Sequence, residues 1–228
     1  MKKILVVFSA FILLLGLFGA ADAAVTLSFN YQTYGGNQFW SVYDGQPGFV
    51  TEDFNAAPGS TQWAWTGNGQ FKTGSNSTGA APAGVGGVAD STQYVAVPQN
   101  NSLSDTTFTA NLGTHYNYLG LWWGSVDWQF NNIYNQIDLL EGTTVVGSVT
   151  GYDLGHPNAD GSWTAPNTNL FVNIFSDASF DGIRMFSNTY AFEADNMTVG
   201  TVPEPGTMML LGSGLVGLAG WGRKKFRR

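Results

Sequence analysis

The chain has 228 residues, which suits one domain with terminal segments, and it lacks cysteine, which excludes disulfides, thiolate metal sites and cysteine nucleophiles. Between residues 24 and 201 the only cationic side chains are Lys72 and Arg184, whereas all Asp and Glu residues except Asp22 and Glu204 lie there. Nucleic acid binding depends on cationic side chains, so this acidic centre excludes a nucleic acid partner. Neutral polymers, cations and other proteins remain as partners.

The N-terminus has the pattern of a signal peptide. Lys2 and Lys3 precede a charge-free apolar run over residues 4–18, and Ala21 and Ala23 supply small residues before a cleavage site. The run is shorter than the ~20 residues that a membrane-spanning helix needs. We therefore predict that residues 1–23 are removed by signal peptidase after Ala23.

The C-terminus has a different pattern. Pro203 and Pro205 are incompatible with a helix interior or a central strand, so residues 202–206 are predicted to be an extended, exposed linker. Residues 207–221 are uncharged and mostly apolar, which predicts a membrane helix. A stop-transfer cluster follows, with its C-terminus in the cytoplasm, formed by Arg223, Lys224, Lys225, Arg227 and Arg228.

This tail resembles the PEP-CTERM sorting signal of Gram-negative bacteria. The resemblance rests on Pro203, Glu204 and Pro205, followed by the apolar helix and the basic cluster at the extreme C-terminus. It implies recognition by an exosortase, a membrane-embedded cysteine protease, and cleavage near residues 203–205. The protein would then be exported through the inner membrane, transiently anchored there and delivered to the cell surface or extracellular matrix.

Residues 24–201 are predicted to form one all-β domain, because short runs of β-branched and aromatic residues alternate with turn signals. The expected architecture is a β-sandwich, of the jelly-roll type. Turns are predicted at residues 141–142, 160–161 and 181–182, and a long flexible loop over residues 71–90. The predicted strands are Val25–Tyr31, Phe49–Phe54, Thr61–Trp65, Tyr94–Val97, Thr106–Asn111, Tyr118–Trp123, Asn135–Glu141, Thr144–Thr150, Leu170–Phe175, Gly182–Phe186 and Phe192–Val199.

Three segments of this domain resemble parts of exosortase-dependent surface proteins. They are Leu119–Asp127, with its Gly-Ser-x-Asp turn, Asn135–Leu140, and Ala191–Val199, which resembles their closing strand. The resemblance implies an extracellular sandwich and no particular activity.

Carboxylates on predicted strands suggest two kinds of site. Glu193 and Asp195 are two residues apart, so they share a strand face, where a calcium ion also bound by Asn196 would relieve their repulsion. Paired carboxylates also serve glycoside hydrolysis, which keeps a polysaccharide-active enzyme as an alternative. The other carboxylates on or near strands are Glu52, Asp53, Asp138 and Glu141, and solvated surface carboxylates are the third interpretation.

The remaining candidates are aromatic and imidazole side chains. Trp63, Trp65 and Trp123 would stack on sugar rings if exposed, or pack the core if buried. Trp122 and Trp123 point to opposite faces of a strand, so at most one is expected in the core. His115 and His156 fit no metal-binding spacing and are expected in solvated loops.

The sequence thus predicts a signal peptide (1–23), a β-sandwich (24–201) and a sorting tail (202–228). The leading functional hypothesis is a non-enzymatic surface or matrix protein of the extracellular polymer layer, with exopolysaccharide as a partner. A carbohydrate-binding module and a polysaccharide-active enzyme are the alternatives.

Overall fold

A computed structural model describes residues 24–34, 37–56, 61–101, 106–127, 134–155, 159 and 167–203. In these ranges the chain forms strands and two short 3-10 helices, Val85–Gly87 and Gly151–Leu154. The strands are β1 (Val25–Ser28), β2 (Gln32–Tyr34), β3 (Gln38–Trp40), β4 (Phe49–Glu52), β5 (Ala64–Gly67), β6 (Gln70–Thr73), β7 (Gln93–Val97), β8 (Thr107–Gly124), β9 (Asn135–Glu141), β10 (Thr144–Thr150), β11 (Leu170–Ser187) and β12 (Phe192–Gly200).

Ten of these strands form one antiparallel sheet in the order β10-β9-β11-β8-β12-β7-β6. The other three of the ten lie beside this path, with β1 paired to β11, β4 to β12 and β5 to β8. The strands β2 and β3 form a separate hairpin. The predicted all-β class is confirmed, whereas the strand order does not show a jelly roll, which stays a prediction.

The 18-residue strands β8 and β11 run through two parts of the sheet, which we call its halves. One half contains β5 and β9, and the other contains β1 and β12. The first part of β8, residues 107–111, pairs with β5 and with residues 182–186 of β11. Its last part, residues 118–123, pairs with β12 and with residues 170–175 of β11. Register irregularities separate the two parts of the pairing, so one long strand pair serves two sets of neighbours.

The two halves of the sheet share one hydrophobic core. Leu119, Leu121 and Trp123 alternate along β8 into this core, as the two-residue period of a strand requires. Ile183 and Ile137 reach it from the other half, and all five side chains are inaccessible to solvent. The core therefore lies on one face of β8, and the opposite face is available for other contacts.

That opposite face is covered by the N-terminal part of the chain. Phe39 of the β2–β3 hairpin packs against Trp122 with a ring separation of 5.5 Å, and Trp122 is fully buried. Tyr118 donates its hydroxyl hydrogen to Asn173 Oδ1 at 2.6 Å, and Ser41 Oγ lies 2.6 Å from the same hydroxyl. Both Trp122 and Trp123 are therefore buried, which corrects the expectation that at most one of them would be.

The segment predicted as a long flexible loop is packed onto the same outer face, which is a second correction. Ala81 and Ala83 within it are buried, and the Ala83 amide donates to Asn169 Oδ1 at 2.8 Å. Gly84 passes so close to the chain at Asn37 that a Cβ would lie 1.7 Å from the Asn37 carbonyl oxygen. Glycine is thus required where these two segments cross.

Several predicted strand boundaries also change. Asn135–Glu141 and Thr144–Thr150 are confirmed, and the turn between them contains Gly142 at a φ of 60°. The turn predicted at residues 181–182 is wrong, because both residues lie within β11. The strands β2, β3 and β6 were not predicted.

Truncation of Trp123 tests the shared core. Trp123→Ala removes a fully buried ring that stacks on Phe192 at 4.3 Å, so we expect the free energy of unfolding to fall by about 3–5 kcal/mol. Tyr152→Ala, at a side chain that is 52% exposed, is the matched truncation and should cost about 1 kcal/mol or less. Urea unfolding followed by circular dichroism measures both, and equal losses would contradict the assignment of Trp123 to the core.

Candidate functional site

The sorting segment begins where the last strand ends. β12 ends at Gly200, and residues 201–203 continue without regular secondary structure. Asn117 holds both backbone groups of Val202: its Nδ2 donates to the Val202 carbonyl, and its Oδ1 accepts from the Val202 amide, each at 2.8 Å. Pro203 has no amide hydrogen with which to extend this pairing. The domain therefore fixes the chain up to the first proline of the predicted motif.

A cavity of about 420 Å³ lies beside this junction. Its walls include Tyr43 and Phe175 from the domain, together with Val202 and Pro203 from the sorting segment. The segment therefore starts in contact with the domain, and no spacer separates the two.

The other residues of the predicted sorting signals lie outside the described residues. They are Ala21 and Ala23 of the signal peptide, Glu204 and Pro205 of the motif, and the basic residues Arg223, Lys224, Lys225, Arg227 and Arg228. Among the residues whose structure is described, no helix has the length and apolar character needed to cross a membrane. The membrane helix and the stop-transfer role of the cluster stay predictions.

The three tryptophans predicted to stack on sugars lie in or against the core. Trp63 is 4% exposed and Trp123 is fully buried, so neither presents a ring face to solvent. Trp65 is half-buried and stacks on Phe108 at 4.8 Å. The sugar-platform interpretation is corrected for Trp63 and Trp123, because aromatic packing in the core occupies the faces that a sugar would need.

The carboxylates of β12 lie on the outer face of the sheet, beneath the covering segments. Glu193 is 2% exposed and Asp195 is fully buried, so the interpretation of solvated surface carboxylates is wrong for both. Glu193 Oε1 accepts from the Ala80 amide at 2.7 Å, whereas Glu193 Oε2 is buried without a hydrogen-bond partner. The free oxygen of Glu193 is unusual, because buried polar atoms in proteins are nearly always bonded.

Asp195 faces other neighbours than Glu193. It lies against the buried Asp90, and burial together with this second carboxyl raises the pKa of Asp195 well above its ordinary value. Asp195 Oδ1 accepts from the Asn196 amide at 2.7 Å, and Asn196 Nδ2 donates to the Phe39 carbonyl at 3.0 Å. The predicted calcium ligands Glu193, Asp195 and Asn196 thus occupy two separate environments on one strand.

A second cavity, of about 130 Å³, opens beside Glu193, and we call it the acidic cavity. Its lining residues are Asn76, Ser77, Gly79, Ala80, Ser125, Asp127, Ala159, Tyr190, Ala191 and Glu193. Burial raises the pKa of Asp127 to about 6. Burial also raises the pKa of Glu193 well above its usual value, and the charge of Asp127 raises it further. Two carboxyl groups that are difficult to ionise therefore line one small cavity.

The turn that carries Asp127 is held from several sides. Ser125 begins it at a φ of 47°, and the Val126 amide donates to the Thr168 carbonyl at 2.7 Å. A Cβ on Gly151 would lie 2.6 Å from the Asp127 carbonyl oxygen, so only glycine allows this approach. The position of Asp127 is consequently fixed by the domain, although sequence analysis noted this residue only as the end of a Gly-Ser-x-Asp turn.

The nearest cation to the acidic cavity is Lys72, which is buried. Its Nζ donates to Asn76 Oδ1 at 2.5 Å and to Thr78 Oγ1 at 2.7 Å. Within the described ranges, the ion pairs within 4.0 Å are Asp138–Arg184 and His115–Glu141, so Lys72 forms none with Glu193. Lys72 thus stabilises the turn that contains Asn76 and Thr78, and no cationic side chain forms an ion pair with Glu193 within the described ranges.

The other candidate residues form structural contacts. Asp138 accepts from Arg184, Gln136 and Ser148, while Glu52 accepts from the backbone amides of Phe54 and Gln62. His115 lies 2.9 Å from Glu141 at the surface, Asp53 accepts from the Asn55 amide, and His156 lies outside the described residues. No group of three or more His, Cys, Asp or Glu side chains able to hold a metal ion occurs in the described part of the chain.

Comparison with known families identifies the tail. A model of the PEP-CTERM protein-sorting motif matches residues 201–224, which begin directly after β12. The chain therefore carries this sorting motif, and the resemblance seen in the sequence is confirmed. The motif indicates an exported protein that is sorted at the membrane in an exosortase-dependent way.

Comparisons with whole proteins add little. No curated protein matches the chain. Among solved structures, the catalytic domain of a GH87 alpha-1,3-glucanase in complex with tetrasaccharides is 14% identical with a TM-score of 0.39. The match covers 69% of this chain and 28% of the glucanase chain. The Stig cyclase Fisc from Fischerella sp. TAU is 15% identical with a TM-score of 0.25, covering 66% and 86% of the two chains. Neither likeness carries an argument about function.

The buried carboxyl groups predict how stability depends on pH. Glu193, Asp195 and Asp127 have folded-state pKa values above their ordinary values, so between about pH 4 and those values the native state binds more protons than the unfolded state. Stability should therefore fall as the pH rises through the folded-state values, by up to about 1.4 kcal/mol per pH unit for each such group.

Thermal unfolding at pH 5 and pH 7.5, in buffers with a chelator, measures this effect. We expect the higher midpoint at pH 5, and a smaller difference in Asp195→Asn, which removes one of the titrating groups. Asp177→Asn, at an exposed position of β11, is the matched control and should keep the full difference. A wild-type midpoint that rises towards pH 7.5 would contradict the prediction.

Proposed function

We propose that this protein is a surface or matrix protein whose domain is released by an exosortase near residues 203–205 and then serves a non-enzymatic, structural or binding role in the extracellular polymer layer. The observation that carries the proposal is the sorting motif at residues 201–224, immediately after the last strand of the domain. A protein with this arrangement is delivered to the membrane with its only described domain on the exported side.

The geometry at the junction between the domain and the sorting segment supports cleavage near residues 203–205. Asn117 holds the backbone of Val202, so the domain fixes the chain immediately before the Pro203-Glu204-Pro205 sequence. A protease cleft binds an extended peptide, and two prolines keep the following residues from joining a helix or the sheet. Cleavage after this point would leave β12 and its contacts intact.

The charge of the domain supports the kind of partner proposed. Between residues 24 and 201 Lys72 and Arg184 are the only cationic side chains, and both already bind neighbouring side chains. Anionic polymers would therefore meet an acidic surface, whereas a neutral polysaccharide would not be repelled. Burial of Trp63 and Trp123 removes two of the three rings on which the carbohydrate-binding module alternative was based, so we favour a structural role.

Intact-mass analysis tests the processing step. In a Gram-negative host that contains an exosortase, we expect a mature chain that starts at Ala24 and ends near Pro203–Pro205. The same gene in an exosortase-deletion strain should yield a chain that starts at Ala24 and retains Arg223–Arg228. Replacing Glu204 with Ala in the exosortase strain should also reduce the processed species, because Glu204 is the charged residue of the motif.

The control for the Glu204 variant is Glu141→Ala, which also replaces one glutamate carboxylate but lies at the end of β9, outside the sorting motif. This variant should be processed as the wild type is. A surface-exposed protein that still contains Arg223–Arg228 in the exosortase strain would contradict cleavage and leave a permanently anchored protein.

Fractionation tests the final location. Because cleavage removes the predicted membrane helix, the processed domain should move from the inner membrane into the surface or polymer fraction. Immunoblots of inner-membrane, outer-membrane and polymer fractions should show this shift in the exosortase strain alone. Equal amounts in the inner membrane of both strains would contradict a role in the polymer layer.

A further inference from the structure

We propose that the acidic cavity is a calcium site, in which Glu193 and Asp127 supply the negative charge and neutral oxygens complete the ligand set. This assignment is independent of the processing step, because it rests on the interior of the domain alone. It also differs from the site predicted from the sequence, which combined Glu193 with Asp195 and Asn196.

One carboxylate oxygen of Glu193 accepts no hydrogen bond. The side chain is 2% exposed, and its Oε1 is fixed by the Ala80 amide at 2.7 Å, so the carboxyl group has a defined orientation. Its Oε2 has no hydrogen-bond partner within the protein, and the residue lines the cavity. A buried carboxylate oxygen is strongly destabilising when unpaired, so a ligand in the cavity would satisfy it.

The cavity also concentrates negative charge. Asp127 adds a second carboxyl group to it, and the charge of Asp127 makes ionisation of Glu193 less favourable. Lys72, the nearest cation, is directed to Asn76 and Thr78 and forms no ion pair with Glu193. A divalent cation between the carboxylates would balance both charges at neutral pH.

The polar groups of the lining residues are oxygen donors of the kind that hard cations bind. The residues that line the cavity carry carboxyl, hydroxyl and amide groups, with serine hydroxyls on Ser77 and Ser125, and they include no histidine or cysteine. Oxygen donors without nitrogen or sulfur favour hard cations such as Ca²⁺ over Zn²⁺ or Cu²⁺. Two carboxylates with neutral oxygens and water match the six to eight ligands that Ca²⁺ takes.

Coordination geometry separates calcium from magnesium. A cavity of about 130 Å³ exceeds the ≈30 Å³ share of one water molecule several-fold, so it has room for either ion with part of its hydration shell. Mg²⁺ demands near-ideal octahedral geometry, whereas Ca²⁺ accepts the irregular arrangement that three separate segments provide. Those segments are the turn at residues 76–80, the turn at 125–127 and the start of β12.

The neighbouring carboxylate pair does not offer an equivalent site. Asp195 lies against Asp90, and Asp90 already accepts from Gln38 Nε2 at 2.8 Å and from the Thr92 hydroxyl at 2.6 Å. Neither Asp90 nor Asp195 lines the acidic cavity. Asp195→Asn is therefore a matched control, since it removes a buried carboxylate from the same strand and face without removing a ligand.

Calorimetric titration of the full chain, purified in a non-ionic detergent, tests the site with CaCl₂ as the probe. We expect one Ca²⁺ per chain at pH 7.5, with a dissociation constant of about 10⁻³ M or lower, as in other extracellular modules. Asp127→Asn should weaken binding by about tenfold or more, and Glu193→Gln should abolish it, because each removes one ligand charge. Asp195→Asn should bind as the wild type does.

Thermal unfolding of the same variants separates loss of Ca²⁺ binding from failure to fold. Glu193→Gln should unfold in chelator at a midpoint no lower than that of the wild type, because a neutral amide replaces a buried carboxylate, but it should lose the rise that Ca²⁺ produces in the wild type.

Three results would overturn the assignment. The first is the absence of Ca²⁺ binding to the wild type. The second is an equal rise of the midpoint with MgCl₂ or NaCl at matched ionic strength, which would indicate general screening. The third is loss of binding in Asp195→Asn together with unchanged binding in Asp127→Asn, which would place the ion in the site predicted from the sequence.

Discussion

All nine residues of β12 are buried, and because successive side chains of a strand point to opposite faces, the sheet must be covered on both faces here. On one face the cover is the hydrophobic core, reached by Phe192, Ala194 and Val199. On the other it is the N-terminal hairpin with residues 76–91. The rest of the architecture follows from this constraint. β8 pairs with β11 along one edge and with β12 along the other, and the hydrophobic core packs against the inner face of these strands.

The outer cover explains why acidic side chains lie in the interior. Glu193 and Asp195 alternate with core residues along β12, so a strand that packs the core correctly directs both carboxyl groups under the covering segments. A purely apolar outer face would pack there at lower electrostatic cost. The carboxyl groups instead connect segments distant in sequence, because Glu193 binds Ala80 and Asp195 contacts Asp90. Folding of the cover and ionisation of these groups are therefore coupled.

The sequence predicted the parts of the fold that depend on local patterns. The β9–β10 hairpin is confirmed because alternation and Gly142 act over a few residues. The long strand β8 was predicted as two, since its middle, around Gly113 and His115, has the polar composition of a turn. Residues 71–90 looked flexible because small residues lack a strand pattern, yet small side chains are what allow Ala81 and Ala83 to pack closely on the sheet.

In the candidate site, too, the sequence predicted what depends on local spacing and missed the contacts between distant segments. The two-residue spacing correctly placed Glu193 and Asp195 on one face, but their partners Asp127 and Asp90 lie more than 60 residues away, and no local pattern indicates which will meet which. Burial of Trp122 likewise depends on the hairpin that contains Phe39, which is distant in sequence. The sorting motif, matched at residues 201–224, was predicted from the sequence because its signals are contiguous and are read by other proteins as sequence.

The position of β12 also sets the order of assembly during export. β12 lies between β8 on one side and β4 and β7 on the other, so these strands have an unpaired edge until it arrives. A chain that crosses the membrane from its N-terminus delivers β12 last, immediately before the sorting motif. The sheet consequently closes only when the tail reaches the membrane. Until then the open edge is exposed to pairing with other chains, and the predicted membrane helix would keep each incomplete domain attached while its final strand inserts.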